Sequence, residues 1–211
     1  MPKDIAQANI TIDVVIFNII NYQLHILLVQ RATPPYHGFQ SLPWWFVKRD
    51  EQLQQTATKV LYRETGVFCD YIQSFGIFDE VHRDPRGRII SIGYYAILDD
   101  TTIILQSWAT QDRASFVPMK MIGTLAFDHN SIVQKAYEQL QKDIQWSDII
   151  KHFLPTYFTI DQLKKYCEII YNRPFEKRNF TKFISKNFTI KKTAQKEQYV
   201  AHRPASLYRF V

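Results

Sequence analysis

Cysteine is scarce in this 211-residue chain, and so are glycine and long apolar runs. The two cysteines, Cys69 and Cys167, stand far apart and have no CxxC partner. That excludes a disulfide scaffold and a cysteine-based metal site, and predicts free thiols in a reducing, cytoplasmic setting. The longest apolar runs, such as 14–17 and 26–29, fall far short of the ~20 residues a membrane-spanning helix requires. The start of the chain, MPKDIAQAN, has no hydrophobic signal region, so export is not expected. No repeat or low-complexity segment interrupts the pattern.

What is present is apolar, aromatic and unevenly charged. Apolar residues make up 46% of the chain and aromatics 15%, enough for a packed core. The net charge is +6, but residues 147–211 hold 13 Lys and Arg against 5 Asp and Glu. The tail therefore carries a surplus of eight positive charges and the first 146 residues a deficit of two. A basic module beside a near-neutral one points to a polyanion as partner of the tail.

Periodicity divides the chain in the same place. Residues 10–17 and 24–30 read as strands joined by a hairpin connection. Residues 50–64 read as a helix with Leu53, Ala57, Val60 and Leu61 on one face and Gly66 as its stop. Strands are predicted at 71–78, 89–98 and 103–108, and a linking helix at about 130–144 with Ile132, Ala136, Leu140 and Ile144 on one face. The tail reads as helices at 148–154, 160–171 and 175–186, the last restarted by Pro174 in its first turn. Short strands at 188–191 and 207–210 follow. Three helices and a hairpin make a winged-helix layout. The predicted organisation is an α+β domain over 1–146 and a small DNA-binding domain over 147–211.

From Trp45 onward the spacing resembles the Nudix signature. Trp45 stands at the Gly position, Glu51 follows after five residues, and after seven more comes Lys59-Val-Leu-Tyr-Arg-Glu64-Thr-Gly66-Val. The resemblance implies an α/β/α sandwich with a mixed sheet. In that family clustered glutamates hold divalent metal ions that support pyrophosphate cleavage. Here Val60 and Arg63 occupy two of the three core glutamate positions and only Glu64 remains, with Glu51 upstream. Glu51 and Glu64 are thus remnants of a degenerate box: no catalytic residue, metal or cofactor is expected. Trp44-Trp45 replace the family's Gly-Gly, which lets backbone approach a diphosphate. The indoles either offer a stacking surface or plug the groove.

The stretch Arg83-Asp-Pro-Arg-Gly-Arg88, with Tyr94 beyond it, resembles a loop of ADP-ribose-type Nudix proteins and their regulator relatives. Its arginines suit bidentate phosphate binding, although Pro-Arg-Gly is also ordinary turn chemistry. The expected ligand residues are Arg31, Trp44, Trp45, Phe46, Arg49, Glu64, Arg83, Asp84, Arg86, Arg88 and Tyr94.

The tail narrows the family. Its Arg-Pro-Phe-Glu-Lys-Arg-Asn-Phe run from 173 and Arg-Pro-Ala-Ser-Leu-Tyr-Arg-Phe run from 203, with Leu-Ala-Phe-Asp-His at 125–129, resemble Nudix-related transcriptional regulators of the NrtR/AraR-like type. In the last predicted helix Phe180, Phe183 and Ile184 share one side, and Arg178, Thr181, Lys182 and Ser185 the other. A helix apolar inside and basic outside suits the major groove. Lys177, Arg178, Asn179, Thr181, Lys182 and Lys186 are its candidate DNA contacts, and Lys191, Lys192 and Arg203 those of the wing. The resemblance implies a cytoplasmic homodimeric repressor on a palindromic operator. Its sensed molecule would be ADP-ribose or a related nucleotide or sugar, and its genes would serve NAD metabolism. Two rival readings are a divergent Nudix pyrophosphatase acting on ADP-ribose-like nucleoside diphosphates and a protein-interaction module with a merely basic tail.

Overall fold

Strand β1 (Asn9–Ile20) is buried from Thr11 to Asn18. A strand with no wet face must lie inside a sheet covered on both sides. In the computed structural model, which describes residues 7–69, 71–98, 114–198 and 204–211, it does. β1 pairs antiparallel with β2 (Gln23–Gln30) and parallel with β6 (Ile89–Ile97). β3 (Gln40–Ser41) lies beside β2, and β5 (Ile72–Phe78) beside β6. β4 (Trp44–Phe46) pairs with β1, and β7 (Ala114–Pro118) with β2, completing one mixed sheet. The strand expected at 103–108 lies outside the described residues.

The alternation of strand side chains assigns each residue to a layer. Ile12, Val14 and Ile16 of β1 and Tyr94 and Ala96 of β6 pack with Ala57, Val60 and Leu61 of helix α1 (Leu53–Thr65). Val15, Phe17, Tyr95 and Ile97 face the other way, toward Ile132, Ala136, Leu140 and Ile144 of helix α2 (His129–Trp146). The odd-numbered face therefore also carries Asp13 and Ser91. α1 begins at Leu53 rather than at 50, because Lys48 to Glu51 form a turn closed by the Glu51 N–H on the Lys48 carbonyl at 3.2 Å. It stops at Gly66, whose φ of 70° is the left-handed end glycine favours.

Beyond α2 the chain forms a 3-10 segment over Asp148–Phe153, not the α-helix expected at 148–154. Pro155 holds Leu154 extended, so the segment cannot grow into a regular helix. Helix α3 (Ile160–Tyr171) opens with a capping box: Thr159 accepts from Gln162 N–H at 3.1 Å, and Gln162 Oε1 accepts from Thr159 N–H at 2.9 Å. Asn172, at φ 48°, ends it. Helix α4 (Lys177–Asn187) starts two residues later than the pattern suggested. Its N-cap is Glu176, accepting from Asn179 N–H at 2.9 Å, so Pro174 precedes the helix rather than opening its first turn. The wing strands are β8 (Ile190–Lys196) and β9 (Ser206–Phe210), with Lys191 opposite Arg209. Phe188, expected in the wing, is instead buried in the core with Phe180 and Ile184.

α2 belongs to both cores. Its buried stripe joins one apolar cluster that runs from Val15 and Tyr95 to Phe158, Leu163 and Ile170. Polar contacts fix the same junction: Tyr137 donates to the Ile170 carbonyl at 2.7 Å, and Tyr171 donates to the Gln141 carbonyl at 2.9 Å. Cys167 is buried there as a free thiol, and burial pushes its ionisation upward; Cys69 is half-buried. Among the described residues no helix is long and apolar enough to cross a membrane.

Candidate functional site

Two groups of residues, one around the predicted Arg86, Arg31 and Trp44 and one around the predicted Arg83, converge at the end of the sheet where β4, the loop 79–88 and the start of α2 meet. The outer group is an aromatic and arginine cage. The Arg86 guanidinium lies 4.7 Å from the Trp44 ring centre, 5.2 Å from Phe127 and 5.8 Å from Phe46. Arg31 lies 4.9 Å from Phe127 and 5.9 Å from Trp44. Tyr36 packs on Phe127 at 4.8 Å and on Phe39 at 5.8 Å. Phe127 can close this cage because it adopts a left-handed φ of 55°, rare for a bulky residue.

The inner group is a buried ion cluster. Arg83 donates to Asp128 through Nε at 2.9 Å and Nη2 at 2.7 Å, and to Asp13 at 3.2 Å. Ser91 donates to Asp13 at 2.5 Å. His129 Nε2 stands 3.3 Å from Asp13, while its Nδ1 accepts the Leu42 N–H at 2.8 Å. That second bond assigns the proton to Nε2. Burial opposes ionisation of Asp13, but His129, Arg83 and Ser91 outweigh it and hold the carboxyl below its usual range. Arg83 is pushed up in turn: burial disfavours its charge, and Asp128 and Asp13 outweigh that.

This corrects part of the sequence reading. Arg83 is a structural cation committed to two aspartates, not an open phosphate ligand. Tyr94 is 5% exposed and faces α1, on the opposite side of the sheet from the cluster. Asp84 is buried and bound by Arg86 at 2.6 and 2.9 Å, so it orients that guanidinium under the aromatics. Arg88 donates to the Asp79 carbonyl at 2.6 Å and closes the loop. Arg49 is exposed in the turn before α1, and among the described residues no contact joins it to the cage. Arg31 fits the expectation only in part: it is buried, and donates to the Pro35 carbonyl at 2.9 Å.

The degenerate box forms its own small arrangement. Glu64 is buried and accepts from Arg63 Nε at 2.7 Å. Arg63 also donates to the Trp44 carbonyl at 3.1 Å and lies over the Trp45 ring at 4.5 Å. Glu51 is bound by Lys59, whose ammonium holds the carboxyl below its usual range. Val60 is buried in the core. A guanidinium where a second carboxylate would be needed, and lone carboxylates each paired to a cation, do not fit a divalent metal ion.

In the tail, α4 turns Phe180 and Ile184 inward and exposes Lys177, Arg178, Asn179, Thr181, Lys182 and Lys186. Lys191 and Lys192 are exposed on β8. Arg203 lies outside the described residues. Among the described residues none of these cations is ion-paired. Sequence reasoning missed Arg209, exposed opposite Lys191. It also missed Tyr36, Arg63 and Phe127; the 125–129 motif was legible, but not as chemistry.

Comparison with known proteins supports both halves. The model of the NUDIX domain matches residues 10–140, and that of the NrtR DNA-binding winged helix domain matches 150–210. An ADPR-responsive transcriptional repressor of Acinetobacter baylyi is 30% identical over 209 residues, 95% of this chain and 81% of the repressor. Shewanella oneidensis NrtR in complex with a 27mer DNA is 28% identical, with TM-score 0.82 over 96% of this chain and 93% of that one. Its NUDIX domain, solved with ADP ribose, is 30% identical and covers 66% of this chain and 93% of its own, with TM-score 0.59. An ADP-ribose pyrophosphatase of Methanocaldococcus jannaschii is 31% identical over 121 residues, 57% of this chain and 70% of the enzyme.

Proposed function

This chain belongs to the NrtR family of Nudix-related transcriptional regulators, and we propose that its Nudix half senses ADP-ribose through the cage of Arg86, Arg31, Trp44 and Phe127. It is a DNA-binding transcriptional repressor of the ADP-ribose-responsive type. The observation that carries the effector assignment is the Arg86 guanidinium set among Trp44, Phe46 and Phe127. Planar rings and delocalised cations side by side suit a nucleobase and a diphosphate in one molecule. Trp44 therefore supplies stacking surface where the family has glycine, and Trp45, 46% exposed, flanks it.

The operator contacts come from Arg178, Asn179, Thr181, Lys182, Lys177 and Lys186 of α4, with Lys191 and Lys192 of β8 and, from the sequence alone, Arg203. We place the domain boundary between Trp146 and Ser147 and assign a cytoplasmic homodimer on a palindromic site, with two winged helices reading two half-sites. The effector acts by favouring one arrangement of the two units. α2 supports this: its Asp128 and His129 end sits in the ion cluster beneath the cage, and Tyr137 and Gln141 grip α3 through the Ile170 carbonyl.

Catalysis is not part of this reading, since the box residues do not fit a metal. The match to the archaeal pyrophosphatase keeps one alternative open to test: Mg²⁺-dependent hydrolysis of ADP-ribose, abolished by Glu64→Gln, would make the chain an enzyme. The sensing proposal is tested by calorimetric titration of the full chain with ADP-ribose. Heat of binding that disappears in Arg86→Ala supports it. No heat with ADP-ribose, or undiminished heat in the variant, rejects it.

A further inference from the structure

Trp146 is the last residue of α2 and is 78% exposed. Its indole does not belong to the buried stripe of that helix, which ends at Ile144. It stands instead at the mouth of a cleft of about 290 Å³ whose far wall is Asn179, Lys182, Phe183 and Lys186 of α4. The helical period orients that wall. Phe180 and Ile184 point inward, so Lys182 lies opposite them at the centre of the outer face. Arg178 and Ser185 then flank Lys182 on one side, and Asn179 and Lys186 on the other, the side that Trp146 borders. A duplex that receives the outer face of α4 in its groove brings one sugar-phosphate strand along each flank.

We propose that Trp146 is a DNA contact contributed by the linking helix: its indole lies against a deoxyribose of the strand that passes Asn179 and Lys186. The inference rests on α4 being the helix that enters the groove. The chemistry of the cleft selects this occupant. An indole offers an apolar face and a single N–H donor, and a nucleic-acid strand offers an apolar sugar edge and phosphate acceptors beside it. The two ammonium groups of Lys182 and Lys186 at the same cleft need an anion and repel a second copy of the basic tail. A base-edge role is not required of Trp146, so its contribution is independent of sequence.

Because it is independent of sequence, it can be measured without the operator, on a 30-bp mixed-sequence duplex at low salt with the full-length protein. Trp146→Ala should weaken binding about three- to tenfold, the scale of one aromatic contact, with an unchanged melting temperature. Trp146→Phe should recover part of the loss. Tryptophan emission should be quenched when DNA is added to the wild type, and that quench should shrink in Trp146→Ala. Lys182→Ala serves as the parallel control. If Lys182→Ala weakens binding while Trp146→Ala changes neither affinity nor quench, the contact is absent and α4 stands. If neither variant weakens binding, α4 itself is misassigned and the inference falls with it. A Trp146→Ala protein that loses its oligomeric state but binds DNA normally per assembled unit would assign the indole to a partner subunit and overturn the proposal.

Discussion

On the sheet half, Arg63, Arg83 and Arg86 each face a carboxylate of the same chain, within 2.6–3.2 Å at Glu64, Asp13, Asp128 and Asp84. On the winged-helix half, Lys177, Arg178, Lys182, Lys186, Lys191 and Lys192 face solvent, and among the described residues none is ion-paired. Both halves are rich in cations, but the arrangements differ in kind. A guanidinium already bound to a carboxylate has its orientation fixed and its charge balanced, which suits a small ligand that must be met by a preformed surface. An unpaired cation keeps its full charge for a polyanion and is worth most when counterions leave. The positive surplus of the tail therefore understates the contrast: the three arginines of the sheet site are present but internally neutralised.

The largest test of the contrast is Arg83→Met. It leaves Asp13 buried without its cation and should cost about 3–5 kcal/mol of unfolding free energy, read by chemical denaturation. Arg178→Met, unpaired and exposed, should leave stability within about 0.5 kcal/mol of wild type. Equal losses would show that pairing is not what separates the halves. The pH dependence carries the same signature. The Asp13 carboxyl is depressed below its usual 3.8, so its contribution is present above that pH and is lost as pH falls through the lower folded value. The stability gap between wild type and Asp13→Asn should therefore hold steady at neutral pH and close in acid below 3.8.

The contrast also marks what could be read in the chain itself. The places of β1, β2, β5 and β6 and the α1 face followed from residue patterns along the chain, and the α4 surface from charge on one side of a helix, because these signals are local. The fate of Arg83 was not local. Its partners Asp13 and Asp128 lie far from it in the chain, on β1 and at the start of α2, and only the parallel pairing of β1 with β6 and the return of α2 assemble them. The same holds for Phe127, whose place over Arg31 and Arg86 depends on a positive φ that no side-chain preference announces. Tyr94 was misread because one step along a strand moves a side chain to the other face of the sheet.

The DNA face should show the next largest effect. Arg178→Ala should weaken operator binding by about 1–3 kcal/mol, the value of a base-edge contact, with the melting temperature unchanged. Wild-type affinity in that variant would place the recognition surface elsewhere on the tail. Arg86→Ala should have a smaller and complementary effect. Losing its stack with Trp44 and Phe127 should weaken ADP-ribose about tenfold, and effector-free operator binding should stay unchanged. If Arg86→Ala alters operator affinity without effector present, the two halves are coupled through the loop itself and not through the ligand.

The smallest effect is expected in the wing, and it separates the two uses of charge most directly. Lys192 is exposed on β8 and among the described residues is not ion-paired. Lys192→Ala should lower affinity for operator and for unrelated duplex by the same factor, since a phosphate contact carries no base information. The slope of log affinity against log salt should fall by about 0.9, one phosphate's worth. No such slope change should follow from Arg86→Ala, because the charge removed there was already balanced by Asp84. Titration of both variants over the same salt series distinguishes a cation held for DNA from a cation held in the effector cage. A Lys192→Ala slope equal to wild type would mean that the wing does not reach the backbone and that α4 binds alone.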